Sequence, residues 1–183
     1  MAYSTQNSLL LRKLMDFYRR DDNINRILPI INGEHRVSLR LIDWFVTNYS
    51  KKNYTWYDIK SNGRTRRFKI YVDYKLKLKA YSKKRFDPFC RWDRITIPYG
   101  EGTSIQTTLG QLNFFKWALE HNIIDYIGDN LAIIERDMNK RNSSSKNRGS
   151  KSSTKTRKKR KELSVSATKS IKKEIVEIVV KFD

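Results

Sequence analysis

The 183 residues carry 39 Lys plus Arg against 19 Asp plus Glu, a formal charge of +20, and 12% of them are aromatic. That length makes one domain with tails rather than two full domains, and a mean hydropathy of −0.73 without an apolar run near the ~18 residues of a spanning helix excludes a transmembrane segment. One cysteine, Cys90, and two histidines, His35 and His121, leave no internal disulfide or Cys-based zinc site and make most metal and triad chemistry a poor expectation. The opening residues, Met1-Ala2-Tyr3-Ser4-Thr5-Gln6, lack the charged start and apolar stretch of a secretory signal. A non-secreted protein in a reducing compartment is expected, with no cofactor and no membrane partner.

From Ser4 to Arg20, the residues Leu10, Leu11, Leu14, Phe17 and Tyr18 recur at helical spacing. Asp21-Asp22-Asn23 offers capping oxygens to a second short helix, ending near Pro29 or at Asn32-Gly33. Ser38 is placed to cap a third, in which Ile42, Phe45, Val46 and Tyr49 form an i, i+3, i+4, i+7 stripe. Core packing is the reading for that stripe and for Trp44.

Residues 53–60 and 65–80 read as strands joined by Ser61-Asn62-Gly63-Arg64, because Asn-Gly supplies the two positive φ values of a type I′ hairpin turn. A two-residue Asn62-Gly63 loop sets Ser61 opposite Arg64, Asp58 opposite Arg67, Trp56 opposite Lys69 and Tyr54 opposite Tyr71. Alternation then puts Tyr57, Phe68, Ile70, Val72, Tyr74, Leu76 and Leu78 on the core side. The other side shows Tyr54, Trp56, Asp58, Arg67, Lys69, Tyr71, Asp73, Lys75, Lys77 and Lys79. Residues 80–92, with Lys83, Lys84 and Arg85, form a basic-aromatic connection in which Pro88 forbids a regular helix or central strand.

Arg94 to Tyr99 turns Ile95, Ile97 and Tyr99 inward, Gly100-Glu101-Gly102 reverses the chain, and Thr103 to Thr107 returns as a hairpin. Thr108 and Gln111 make a capping-box pattern opening a helix with Leu112, Phe115, Ala118 and Leu119 on one face. Asn122 caps another, bearing Ile123, Ile124, Ile127, Leu131, Ile134 and Met138, in which Gly128 either admits a close contact or marks a division. From Asn142 to Lys161 no large apolar residue occurs, and such a segment cannot offset its ordering entropy, so disorder is expected. Ile171, Ile175, Val176, Ile178, Val179, Val180 and Phe182 then read as a terminal strand that pairs with the domain's sheet or with a partner's edge. The expected fold is α+β: a small, mainly antiparallel sheet packed by N- and C-terminal helices over residues 1–141. A disordered basic linker over 142–168 and an apolar strand over 169–183 complete it.

The charge is concentrated. Residues 51–94 hold 15 basic and 4 acidic side chains, so the remainder of residues 1–141 is neutral, and residues 142–183 hold 13 basic against 4 acidic. Two such gatherings point to a polyanionic partner, DNA or RNA before an anionic membrane. On the strand face, Lys and Arg neutralise phosphates while Tyr and Trp give flat surfaces on which unpaired bases stack. The alternative is a solvated face with an Asp58–Arg67 ion pair and a Trp56–Lys69 cation–π contact, or lysines that guard an edge. The run Arg157-Lys158-Lys159-Arg160-Lys161 suits a phosphate backbone without sequence preference, or a nuclear import signal. Asp58, Asp87, Asp93 and Glu101 lie near the basic stretch, but no spacing among them resembles a nuclease motif, and a non-catalytic protein is expected.

Four stretches resemble small basic proteins encoded by nucleocytoplasmic large DNA viruses, the giant viruses. They are residues 38–49 (SLRLIDWFVTNY), 86–91 (FDPFCR), 108–118 (TLGQLNFFKWA) and 157–167 (RKKRKELSVSA). The resemblance implies a host-cell viral factory or a virion as the setting, to which the import-signal reading adds the nucleus, and carries no activity or residue roles with it. The expected function is nucleic-acid binding by the aromatic-basic face and the basic tail. The competing expectation is a virion structural or assembly protein that contacts a viral protein through residues 171–182.

Overall fold

The computed structural model describes residues 5–20, 22–61, 63–91, 94–100, 102–148 and 173–175. Thr5 opens the first helix, α1 (Gln6–Arg19), its hydroxyl oxygen accepting from the Ser8 amide at 3.2 Å. A second helix, α2 (Asn23–Asn32), stops at Gly33, whose φ of 77° provides the left-handed cap that returns an N–H to the Pro29 and Ile30 carbonyls. The acidic residue before it does not cap with its side chain: Asp22 is itself left-handed, and its Oδ1 accepts from Asn25 Nδ2. Ser38 does cap α3 (Leu39–Trp44), accepting from the Leu41 amide at 3.2 Å. The helix then widens into a π turn (Phe45–Tyr49) and closes with α4 (Ser50–Lys52). Thr47 and Ser50 hydroxyls donate to the Asp43 and Val46 carbonyls there, back-bonding of the kind that loosens a helical ladder.

The hairpin of β1 (Trp56–Ser61) and β2 (Arg64–Lys69) has the register set by its two-residue loop, with Trp56 opposite Lys69 and Asp58 opposite Arg67. It leads into α5 (Ile70–Phe86). A second hairpin, β3 (Arg94–Gly100) with β4 (Thr103–Thr108), is followed by α6 (Leu109–Glu120), α7 (Ile123–Asp129) and α8 (Leu131–Arg148). Three residues of the terminal segment, β5 (Lys173–Ile175), add antiparallel to β4, so that part of the segment pairs within the domain's own sheet. No helix among the described residues is long and apolar enough to cross a membrane.

α6 is the centre of the α+β fold. Leu112, Phe114, Phe115, Trp117 and Ala118 are all buried, and a helix apolar around most of its circumference, with Lys116 and Glu120 left toward solvent, has to be enclosed. It is enclosed by α1, α5, α7 and β4. Thr108 accepts from the Gln111 amide as its cap, while the Gln111 side chain accepts from the Thr107 hydroxyl at 2.7 Å instead of closing the box. Buried polar groups tie the surrounding elements to it. Tyr18 donates to the Leu112 carbonyl (2.6 Å), Asn113 to the Arg85 carbonyl (2.9 Å) and Trp117 Nε1 to Asp73 Oδ1 (2.7 Å). Tyr57 of the first hairpin donates to the His121 carbonyl at 2.6 Å, and Phe68 stacks on the His121 ring at 4.4 Å.

The largest departure from expectation begins at Ile70. The second strand ends at Lys69 rather than running to residue 80, so Tyr71, Lys75, Lys77 and Lys79 are helical, and no Tyr54–Tyr71 pair forms. The stretch holds two periodicities at once. The Lys-Leu alternation of residues 75–79 has period 2, whereas the apolar Ile70, Tyr74, Leu78 and Tyr81 have helical spacing and are buried or half-buried. Tyr74 settles the matter by packing on Phe86, Phe114 and Trp117, and Lys, Leu and Ala are good helix formers. Val72 and Leu76, assigned to the core by alternation, are therefore exposed. Residues 80–86 are helical too, interrupted only by a kink at Ser82 (φ 64°, ψ 168°), and the irregular connection starts at Asp87.

Smaller corrections fall in the C-terminal half. The helical pattern after Asn122 divides at Asn130, and Gly128 also admits a close contact, since Arg36 Nη2 lies 2.8 Å from where its Cβ would stand. Asn122 starts α7 through a left-handed backbone, not a side-chain cap. α8 continues past Arg141 to Arg148, so the expected disorder does not begin at residue 142. Residues 149–172 and 176–183, with Arg157, Lys158, Lys159, Arg160 and Lys161, lie outside the described residues.

Candidate nucleic-acid interface

Three elements meet where the first hairpin opens. α4 ends at Lys52, and the chain turns through Asn53, whose amide and side-chain nitrogen both donate to the Tyr49 carbonyl, and then Tyr54. Tyr54 is left-handed (φ 47°), an uncommon state for a bulky residue, and its ring projects into solvent. The Thr55 amide donates to the Ser50 carbonyl at 3.0 Å, fixing the turn against α4 and delivering Trp56 as the first residue of β1. Across the hairpin, the Arg67 guanidinium lies 4.0 Å above the Trp56 ring. This is a diagonal contact: the expected Trp56–Lys69 cation–π pair and Asp58–Arg67 ion pair are replaced by Arg67 on Trp56. Lys51 Nζ sits 5.5 Å from the Tyr71 ring in the first turn of α5.

These side chains wall a cleft of about 570 Å³ lined by Lys51, Tyr54, Trp56, Arg67, Lys69, Tyr71 and Val72, with Ser50 and Thr55. A second cleft of about 640 Å³ adjoins it along α5 and is lined by Tyr71, Val72, Lys75, Leu76, Leu78, Lys79 and Lys83. Tyr71 and Val72 belong to both. Among the described residues, no aspartate or glutamate lines either cleft. The carboxylate of Asp73 is turned to the Trp117 indole on the inner side of α5. Six large hydrophobic side chains are exposed among the described residues, and four of them line these clefts: Tyr54 (85%), Trp56 (48%), Val72 (52%) and Leu76 (60%). Apolar exposure gathered this way marks an interaction surface, whereas scattered exposure does not.

The helix thus brings together eight of the residues singled out from sequence: Tyr54, Trp56, Arg67, Lys69, Tyr71, Lys75, Lys79 and Lys83. Lys75 and Lys79 stay together because i, i+4 shares a helix face as readily as even spacing shares a strand face, and Lys83, beyond the Ser82 kink, lines the same cleft. Lys77, roughly 200° around the helix from Lys75, lines neither cleft, nor does Lys84. Arg85 is structural: its guanidinium donates to Asn7 Oδ1 at 2.7 Å and Gln6 Oε1 at 3.0 Å, holding the start of α1. Sequence reasoning missed Lys51, which belongs to another element, and Val72, Leu76 and Leu78, which alternation assigned to the core, along with Ser50 and Thr55.

Behind α5 the chemistry is structural. Burial pushes the Asp43 carboxyl up to about 7, with the nearby Asp87 charge adding to the rise. Burial also raises the Tyr74 hydroxyl well above its ordinary value, and Asp43 and Asp87 raise it further. Asp87 accepts from the Phe89 amide at 2.9 Å and so forms the turn at Pro88. No group of three or more His, Cys, Asp and Glu that could hold a metal ion occurs among the described residues.

The model of a family of unknown function, DUF7197, matches residues 2–175 of the chain. An uncharacterized protein of Acanthamoeba polyphaga mimivirus is 45% identical over 135 residues, which cover 70% of this chain and 52% of the relative. The match thus spans about half of that relative's length, and the likeness to giant-virus proteins holds. No solved structure matches the chain.

Proposed function

This chain belongs to DUF7197, a family of unknown function, and we propose that it binds nucleic acid without catalysis, through the paired clefts of the first hairpin and α5. The basic run Arg157–Lys161 acts as a second, electrostatic contact. One observation carries the reading: six cations (Lys51, Arg67, Lys69, Lys75, Lys79 and Lys83) surround exposed aromatic and aliphatic groups with no carboxylate among the described lining residues. A purely solvated face has no reason to hold Trp56, Val72 and Leu76 in water, and an apolar protein contact has no reason to ring them with charge. Phosphate neutralisation with base stacking uses both. A viral factory, host nucleus or virion of a large DNA virus supplies such a ligand.

Fluorescence anisotropy of labelled single-stranded and duplex DNA and RNA with the full chain tests this. Binding at about 50 mM salt that weakens steeply toward about 200 mM is expected, because released counterions dominate such contacts. Absence of binding to every probe at the lower salt rejects the proposal.

A second reading, assembly through the terminal strand, is favoured by the pairing of Lys173–Ile175 on the edge of β4. A segment that completes its own sheet is chemically able to complete a partner's. Deleting residues 170–183 separates the two: lost partner recovery with unchanged nucleic-acid affinity supports assembly.

A further inference from the structure

We propose that the clefts take a single strand, with an unpaired base against Trp56 in the first and the sugar-phosphate chain along Lys75, Lys79 and Lys83 in the second. This rests on nucleic-acid binding at the same surface and names the form of the ligand.

The first cleft, about 570 Å³, lies within the range of roughly 300–1,000 Å³ that small-molecule sites occupy, so it admits a nucleobase with its sugar. A base in a duplex has both faces covered by its neighbours, and only an unpaired one offers a face to a ring. Trp56 is prepared for this. Arg67 lies over its ring at 4.0 Å, yet nearly half of the residue remains exposed. Tyr54 stands at the rim in a strained left-handed backbone while making almost no packing contact with its ring. Strain at an exposed aromatic is the kind of outlier that collects at ligand clamps. Cationic ligands of aromatic cages are disfavoured, because Lys51, Arg67 and Lys69 already surround the rings.

The second cleft argues for a polymer over a mononucleotide. Tyr71 and Val72 make the two clefts continuous, and Lys75 and Lys79 follow at roughly 6 Å intervals along the helix axis. A mononucleotide occupies only the first cleft and leaves these lysines unused. A duplex presents phosphates to the lysines but leaves Trp56, Val72 and Leu76 against a charged backbone.

The test uses the full chain and a fluorescein-labelled oligothymidylate of about 16 nucleotides, near the upper limit of single-strand site sizes. A duplex of equal length and thymidine monophosphate serve as the other arms. Wild type is expected to prefer the single strand. Trp56→Ala should weaken that binding about 5- to 150-fold, the equivalent of one lost base stack, and leave duplex affinity within about twofold. Trp56→Phe, which keeps a stacking face, should recover most of the loss. Tyr54→Asn, which tolerates the left-handed backbone and removes an exposed ring, should weaken single-strand binding with an unchanged melting temperature. It keeps the test open if Trp56→Ala unfolds. Equal affinity for both forms, unaffected by either variant, overturns the single-strand assignment while nucleic-acid binding stands. Monophosphate competing as well as the oligomer overturns the role of the second cleft. No binding in any arm overturns both proposals.

Discussion

Replacing Lys75, Lys79 and Lys83 together with glutamine removes half of the cleft's cations without touching the core. For single strands each neutralised phosphate contributes about 0.7 to the slope of log affinity against log salt, so the triple variant should lose about 2 from that slope. Between about 50 and 200 mM salt, wild-type affinity should then fall roughly 18-fold more than the variant's, whatever the basic run 157–161 contributes to both. Stability moves little, and in the opposite sense. Lys75 and Lys79 are exposed like charges one turn apart, and relieving such a pair gains about 0.2–0.5 kcal/mol; the Ser82 kink breaks the helix between Lys79 and Lys83. Anisotropy titrations across salt give the slopes, and thermal unfolding gives the control. An unchanged slope in a folded variant refutes phosphate contact along α5.

Three further predictions concern the scaffold that carries the clefts. Asp43 holds its proton to about pH 7 when folded but to about 3.8, the ordinary aspartate value, when unfolded, so the folded state binds the extra proton and stability falls as pH rises between them. Asp43→Asn removes that loss, and denaturant unfolding should show the variant's advantage growing from about pH 4 to pH 7 and level above it; an advantage that does not vary with pH contradicts the burial of a neutral acid. Gly110→Ala places a Cβ 2.9 Å from the Asp87 carbonyl oxygen and 3.1 Å from that of Lys84. Overpacking of about 1–3 kcal/mol outweighs a helix-propensity gain of at most ~1 kcal/mol, so the melting temperature should drop, and a rise contradicts the close approach of α5 and α6. Ser82 occupies a backbone region that essentially only glycine populates. Relief of about 1–3 kcal/mol exceeds the ~0.5–1 kcal/mol entropy cost of glycine, so calorimetry of Ser82→Gly should show a net gain, and a net loss contradicts the kink.

Local chemistry was legible where a few residues decide the conformation. Asn62-Gly63 dictated the hairpin register, and Ser38 and Thr108 announced their helices, because a turn type or a cap is settled by one or two side chains. Residues 70–86 were not, because alternation and helical spacing coexist there, and the choice is made by Tyr74 packing on α6 residues some forty positions away. The candidate interface was partly legible despite that error. Trp56, Arg67 and Lys69 depend on the hairpin alone, and Lys75 and Lys79 share a face under either periodicity. Lys77 and Arg85 were drawn in because strand geometry put Lys77 on the lysine face and composition could not show that Arg85 holds α1. Val72 and Leu76, whose exposure gives the clefts their apolar walls, become visible only once the helix is known.

Photocrosslinking locates the contact most directly. A single-stranded oligonucleotide bearing 5-bromouracil is irradiated with the full chain, and the adducts are mapped by peptide mass spectrometry. An interface built by the fold predicts adducts on the peptides holding Tyr54, Trp56 and Tyr71, suppressed at high salt and in Trp56→Ala. Adducts confined to the segment around Arg157–Lys161, with none on the hairpin or α5, contradict it.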